Sequence, residues 1–240
     1  MLTPYVRMGY PLAFLQRKDL LKALYDKLPD KTKVHTSKRA GKVDHTNSGV
    51  VVHCEDGSTY PGDIVVGADG VHSAIKPAML QHIELSKPGS TKKDSNSVSA
   101  EYNCIFGFGE PVKAPVTVGD SHRSYAKGYS TLSFVGRGGK LYWFLFSRMD
   151  KRYHGKDIPR FSKADMEEAA KAFHNIHMTD EITYGQVWAT RTFANMSCVE
   201  EATNEHWTSG RFVCLGDSIH KVKFPAKAVW RKINKLTPNR

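Results

Sequence analysis

Two carboxylates stand just beyond apolar runs, and each is flanked by residues with little or no side chain. The first closes Asp63-Ile64-Val65-Val66-Gly67-Ala68-Asp69-Gly70, which runs on through Ser73 to Lys76. The second follows Gly210-Arg211-Phe212-Val213-Cys214-Leu215-Gly216 as Asp217, with Ser218 and His220 beyond it. An acid at such a place can accept hydrogen bonds from ligand hydroxyls, and the bare backbone at Gly67, Ala68 and Gly216 lets a cofactor lie against the peptide. Gly70 is free to take positive φ. Ser73 can cap the helix expected to follow, whose amides favour anionic groups. An ordinary strand, Asp-Gly turn and helix is the plainer reading of the first run taken alone.

Other reactive side chains form no recognisable set. The eleven histidines include no HExxH or Cys-His cluster, and His174 and His177 have no acid or thiol beside them, so no metal site is expected. Cys54, Cys104, Cys198 and Cys214 lack a CxxC spacing and lie mainly in apolar runs, which fits buried free thiols. Tyr125 and Tyr129 flank Gly128 before an apolar strand; a phenol there can donate to a substrate or cofactor oxygen, or serve as an ordinary strand residue.

These groups need elements to carry them. Ile64 to Val66, continuous and β-branched, predict a strand covered on both faces. Leu20, Leu21, Leu24 and Leu28 predict a helix with one face on the core and Lys18, Lys22 and Lys27 in water, with Arg17 at its entrance. Val50 to Cys54, the Asp56-Gly57 turn and Ser58 to Tyr60 read as a hairpin, and Lys87 to Ser97 as a polar linker. From Val98 to Met149 the pattern is β-like, with a turn at Gly138-Gly139 and Trp143 and Phe144 read as core. Ser162 to Phe173 predicts a helix with a serine cap and acids in its first turn.

With both motifs in view, the chain resembles the class A flavoprotein monooxygenases, the para-hydroxybenzoate hydroxylase-like group, whose motifs read DxxxGADGxxSxxR and GDxxH. Tyr10-Pro-Leu-Ala-Phe-Leu15 and Tyr142-Trp-Phe-Leu-Phe146 are similar to a narrower fungal branch that epoxidises terpenoid and indole-diterpene intermediates. The resemblance implies an α/β (α+β) fold: an incomplete FAD-binding Rossmann-like domain with an inserted, mostly antiparallel sheet that forms the substrate chamber. It implies that Asp217 holds a ribityl hydroxyl of FAD with Gly216 as a further cofactor contact, that Asp69, Gly70 and Ser73 lie near FAD and NADPH, and that Arg17 reaches the flavin side. Tyr125 or Tyr129 takes the place of the active-site tyrosine, Tyr125 preferred on its distance from Asp217, and Trp188 and Arg191 lie against the chamber. The implied activity is oxygen transfer to an apolar, prenylated small molecule at the expense of NAD(P)H and dioxygen. The alternatives are a truncated non-catalytic remnant, or a flavin-dependent dehydrogenase or halogenase on the same scaffold.

Some family features are missing. No GxGxxG turn occurs in the 240 residues, and Gly107-Phe-Gly109 continues Glu-Pro-Val, which cannot open a helix. The resemblance therefore implies a chain truncated at both ends. After Lys221 the run Val222 to Lys235 displaces Thr237-Pro238-Asn239 and reads as a retained intron or a mis-called exon boundary, which sequencing the mature transcript tests. The expected division is a partial FAD-binding portion (1–86), a sheet portion (98–190), a return to the FAD portion (191–221) and an atypical basic tail (222–240). That tail carries six of the 35 Lys and Arg and no acid, so the net charge of +11 falls to +5 without it. No basic stripe interleaved with aromatics points to nucleic acid. No run approaches the roughly 18 apolar residues of a membrane span. The opening lacks a signal-peptide core, so the expected location is cytoplasmic or membrane-associated inside the cell, not secreted. No protein partner is inferable.

Overall fold

The computed structural model describes residue 9 and residues 14–221. The expected basic tail, residues 222–240, lies outside the described residues, as do most of residues 1–13. In chain order the described elements are α1 (Arg17–Asp26), β1 (Ala40–His45), β2 (Val50–Cys54), β3 (Thr59–Gly62), β4 (Val65–Gly67), α2 (Ile75–Ser86) and α3 (Lys92–Ser95). There follow β5 (Ser99–Gly109), β6 (Ser121–Ala126), β7 (Tyr129–Val135), β8 (Leu141–His154), α4 (Lys163–Lys171), α5 (Tyr184–Ala189), β9 (Arg191–Thr203), β10 (Thr208–Ser209), β11 (Phe212–Cys214) and β12 (His220–Lys221). The fold is mixed α/β with mostly antiparallel pairing, as expected.

The described residues divide into two compact units, one made of those up to 33, 102–151 and 159–198, the other of 34–101, 152–158 and 199–221. The sequence groups 1–86 together, whereas α1 belongs with the middle sheet, where Phe14 stacks on Phe134 at 4.4 Å between ring centroids.

In the first unit β6, β7 and β8 are antiparallel neighbours. One face is closed by α4 and α5: Trp143, Leu145, Ile105, Val135 and Leu141 are buried with Met166, Tyr184, Val187 and Trp188. Ser162 caps α4 through a capping box with Asp165, whose carboxylate accepts from Ser162 N at 2.7 Å, as the sequence predicts. Helix α1 departs from expectation. It buries none of its residues, and Leu20, Leu21, Leu24 and Leu28 are exposed, because no described residue packs on its apolar stripe.

The second unit holds two three-stranded sheets, ordered β1-β2-β3 and β10-β11-β4. The predicted hairpin is present, with Gly57 at φ 84° and Asp56 accepting from Ser58 N at 3.0 Å. Helix α2 buries Ile75, Met79, Leu80 and Ile83 against Val65, Phe212 and Cys214. The expectation that the 64–66 strand is covered on both faces is corrected. Val65 is buried, but Ile64 and Val66 are exposed, because a short strand carries its odd and even side chains on opposite faces and α2 covers one. The linker of residues 87–97 is also more structured than its composition indicates: it contains α3, and Asp94 is 1% exposed. The Asp94 carboxylate accepts from Glu205 N at 2.7 Å and His206 N at 3.2 Å, and is bonded to His206 Nδ1 at 2.7 Å; these bonds hold its pKa below the ordinary value against the cost of burial. Cys54, Cys104 and Cys214 are buried thiols outside any disulfide, and Cys198 is a half-buried thiol whose Sγ donates to Pro159 O at 3.3 Å.

Candidate functional site

Strands β4 and β11 run parallel, with Val65 opposite Phe212, Val66 opposite Val213 and Gly67 opposite Cys214. The two runs singled out in the sequence, about 145 residues apart, therefore end side by side at the carboxyl edge of one sheet, where open α/β sheets bind ligands. Leu215 N donates to Gly67 O at 2.8 Å and carries the pairing one step past the strands. Gly67 has no room for a side chain: a Cβ there would lie 2.9 Å from Ile75 Cβ and 3.1 Å from Cys214 Sγ.

Beyond these strands the two acids do different things. Asp69 Oδ2 accepts from Ala74 N at 2.7 Å and Ile75 N at 3.3 Å, and Ser73 Oγ accepts from Lys76 N at 2.9 Å. The start of α2 is thus capped by the chain's own side chains, and the amides that the sequence offers to an anion are already taken. Gly70 has φ 82° and completes the turn. Lys76 stands where the family motif has Arg; its Nζ donates to Asp94 O and Ser97 Oγ, both at 3.3 Å, and burial lowers its pKa. Asp217 by contrast caps no backbone amide among the described residues. It rides a single 3₁₀ turn, Gly216–Ser218, with Gly216 at φ 60°, and its side chain is 60% exposed with Lys221 Nζ 3.9 Å away. A hollow of about 500 Å³ borders the Asp69 turn, lined by Val66, Asp69, His72 and Ile75 and by Lys38 and Arg39 from the hairpin sheet.

The remaining sequence candidates belong to the first unit. Arg17 opens α1 and makes no ion pair among the described residues. The tyrosines are separated by strand parity. Tyr125 on β6 faces Ser130 across the pairing, and Ser130 faces Phe146 on β8. It therefore shares a sheet face with Phe146, Phe144 and Tyr142, opposite to buried Trp143 and Leu145. Tyr129 lies on the Trp143 side and packs edge-on against Phe173 at 5.5 Å. The two phenols cannot serve one substrate; Tyr125, 49% exposed, is the one on the aromatic face. Phe106, Phe108 and Phe193 extend that face, with Phe106 6.4 Å from Phe144, Phe108 5.8 Å from Tyr142 and Phe193 5.5 Å from Phe108. Trp143 is core as expected, whereas Phe144 is on the opposite, half-buried face. Trp188 is core too, with the Arg191 guanidinium 4.0 Å over its ring and bonded to Glu167 at 2.9 Å.

A parallel strand pair ending in a solvent-exposed acid is the ligand edge of a cofactor-binding sheet, and the antiparallel strands of the other unit carry an aromatic face. The chain belongs to the FAD binding domain family, whose model matches residues 9–229. It is 44% identical over 222 residues to "FAD-dependent monooxygenase BOA8" of Botryotinia fuckeliana (strain B05.10), covering 90% of this chain and 28% of that protein. It is 39% identical over 219 residues to "FAD-dependent monooxygenase cle3" of Aspergillus versicolor, with 90% and 44% covered. Among solved structures it is similar to Klebsiella pneumoniae HpxO complexed with FAD and uric acid, with TM-score 0.64, 20% identity, and 88% and 49% covered. It is also similar to 2,6-dihydroxypyridine-3-hydroxylase from Arthrobacter nicotinovorans, with TM-score 0.63, 14% identity, and 91% and 60% covered. The chain spans less than half the length of the two fungal relatives.

Asp94 was not singled out in the sequence: the partners of its carboxylate lie more than 100 residues away, so no local spacing marks it. Ser218 was named only as the hydroxyl that follows Asp217, and its bond to Gly67 O, across 151 residues, has no local mark.

Proposed function

We propose that this chain is part of a FAD-dependent monooxygenase that uses NAD(P)H and dioxygen to epoxidise or hydroxylate an apolar, prenylated small molecule. The observation that supports it most is the parallel pairing of β4 with β11, which sets the Gly-Ala-Asp-Gly and Gly-Asp turns at one sheet edge. The residues fit the cofactor: Asp217 is a solvent-exposed acceptor for a ribityl hydroxyl, and no heavy atom lies within 4 Å of where a Cβ would stand on Gly216 or Gly70. Asp69 contributes the shape of the turn, since its carboxylate is spent on the α2 amides.

Reduced by NADPH, bound FAD supplies the oxygen-transfer chemistry. The protein's tasks are to bind, orient and keep water away. The aromatic face offers an apolar wall, which suits an uncharged prenyl group, and the Tyr125 phenol can donate a hydrogen bond to a polar atom of the substrate. Arg17, free of ion pairs among the described residues, is assigned to the flavin side. The second reading is a non-catalytic remnant, in which these residues bind no FAD.

Titrating the purified chain with FAD and following flavin fluorescence tests the first reading. The expected result is saturable binding that Asp217→Ala weakens at least tenfold. No binding at 100 µM-scale FAD (roughly −5 kcal/mol) favours the remnant.

A further inference from the structure

Where the two strands separate, one buried hydroxyl lies between them. Ser218 is 2% exposed, and its Oγ stands 2.6 Å from Gly67 O and 2.7 Å from Leu215 O. Gly67 is the last residue of β4 and Leu215 the first beyond β11, so the hydroxyl reaches a carbonyl at the exit of each strand. It carries one proton, so it donates to one carbonyl at a time and is held close to both. Past Gly67 the strand register has ended, and the Leu215 N–H to Gly67 O bond is the backbone link between the two exits. Asp217 immediately precedes Ser218, and Asp69 is two residues beyond the carbonyl that it binds.

We propose that Ser218 is a positioning residue that sutures the exits of β4 and β11 and so fixes the Asp217 turn relative to the Asp69 turn for the cofactor. The cofactor part rests on the flavin reading above; the suture itself does not. Burial inside a Gly216–Ser218 turn that points Asp217 outward makes the arrangement economical: the turn faces the ligand with its acid and the neighbouring strand with its hydroxyl. A side chain without the hydroxyl would leave Gly67 O with the Leu215 amide alone and Leu215 O without this donor, so the turn beyond Gly216 would be tied to β4 only through the Leu215 N–H.

The test combines amide hydrogen exchange with FAD titration on the full chain and on Ser218→Ala and Ser218→Thr. In Ser218→Ala, exchange at Leu215 and at Ala74, the amide that Asp69 holds, is expected to rise at least tenfold, with the amides of Lys163–Lys171 unchanged. FAD affinity is expected to fall several-fold, with recovery in Ser218→Thr. Unchanged exchange at Leu215 and Ala74 overturns the suture. Faster exchange with unaltered FAD affinity overturns the positioning role, and a uniform rise throughout 34–101 and 199–221 marks a merely structural residue. If Ser218→Ala does not fold, the unmutated chain still decides, because a donating Ser218 hydroxyl proton is expected to exchange slowly enough to be seen by NMR, and its absence rejects the proposal. If the unmutated chain binds no FAD, the flavin reading fails while the exchange data judge Ser218 alone.

Discussion

At the scale of single residues, the two motif acids separate stability from binding. Asp69 closes the first turn of α2 with two hydrogen bonds, so Asp69→Ala is expected to cost about 1–2 kcal/mol of unfolding free energy, the usual range for a lost N-terminal cap. Asp69→Asn, which keeps an acceptor oxygen, is expected to recover most of it. Asp217 bears only a 3.9 Å ion pair and is mostly solvated, so Asp217→Ala is expected to stay within about 0.5 kcal/mol of the unmutated chain in urea denaturation while losing flavin affinity. Equal destabilisation by the two substitutions would refute this division of labour. The motif positions were legible from sequence because each acid follows its own apolar run. Their unequal roles were not, because what distinguishes them is whether nearby amides point at the carboxylate.

Elements are held by contacts of a different kind, and the clearest is the anchoring of β1 to β11 and α2. His45 Nε2 accepts from Arg211 N at 3.0 Å, and His82 Nδ1 is bonded to Ser209 Oγ at 2.8 Å, the two imidazoles lying 4.3 Å apart. Gly210, at φ 53°, fits only because it has no side chain: a Cβ would meet His45 Nε2 at 2.6 Å. Around this pair, Arg211 donates to the carbonyls of Asp63 and Asn47, while Asp44 is engaged by Lys42 and His53. Burial, followed by the proximity of His82 and Arg211, lowers the His45 pKa in the folded chain. A histidine lowered in this way takes up its proton first in the unfolded state. Its contribution to stability is therefore full above the unfolded value of about 6.5 and is lost as pH falls below it. Urea midpoints are expected to drop between pH 7.5 and 5.5, and to drop less in His45→Gln, which keeps an acceptor for Arg211 N. Parallel pH curves for the two proteins would exclude His45 as the cause. The strand at Phe212–Cys214 was legible from its apolar run, but β1 was not read from the sequence, and neither was the clasp, since its members lie more than 120 residues apart along the chain.

At the scale of the whole molecule, apolar surface decides what the chain does in solution. The aromatic face of the first unit and its core come from the same strands, one residue out of step. Leu145→Ala, at a fully buried position, is expected to cost about 2–5 kcal/mol, whereas Phe144→Ala on the other face is expected to cost less and to weaken binding of an uncharged prenylated probe. The leucine pattern of α1 correctly gave a helix but misled about its burial, because periodicity shows that a face is apolar and not what covers it. Leu20, Leu21, Leu24 and Leu28 in one unit, and Ile64, Val66 and Leu215 in the other, are all exposed. A ten-residue helix is marginal without packing, and clustered exposed leucines promote association. The purified chain is thus expected to bind a hydrophobic dye and to scatter light increasingly with concentration. Leu24→Glu and Val66→Glu, each at an exposed position, are expected to reduce both signals additively, since they lie in separate units, with little change in unfolding midpoint. Dye binding that neither substitution alters would show that these faces are covered in solution.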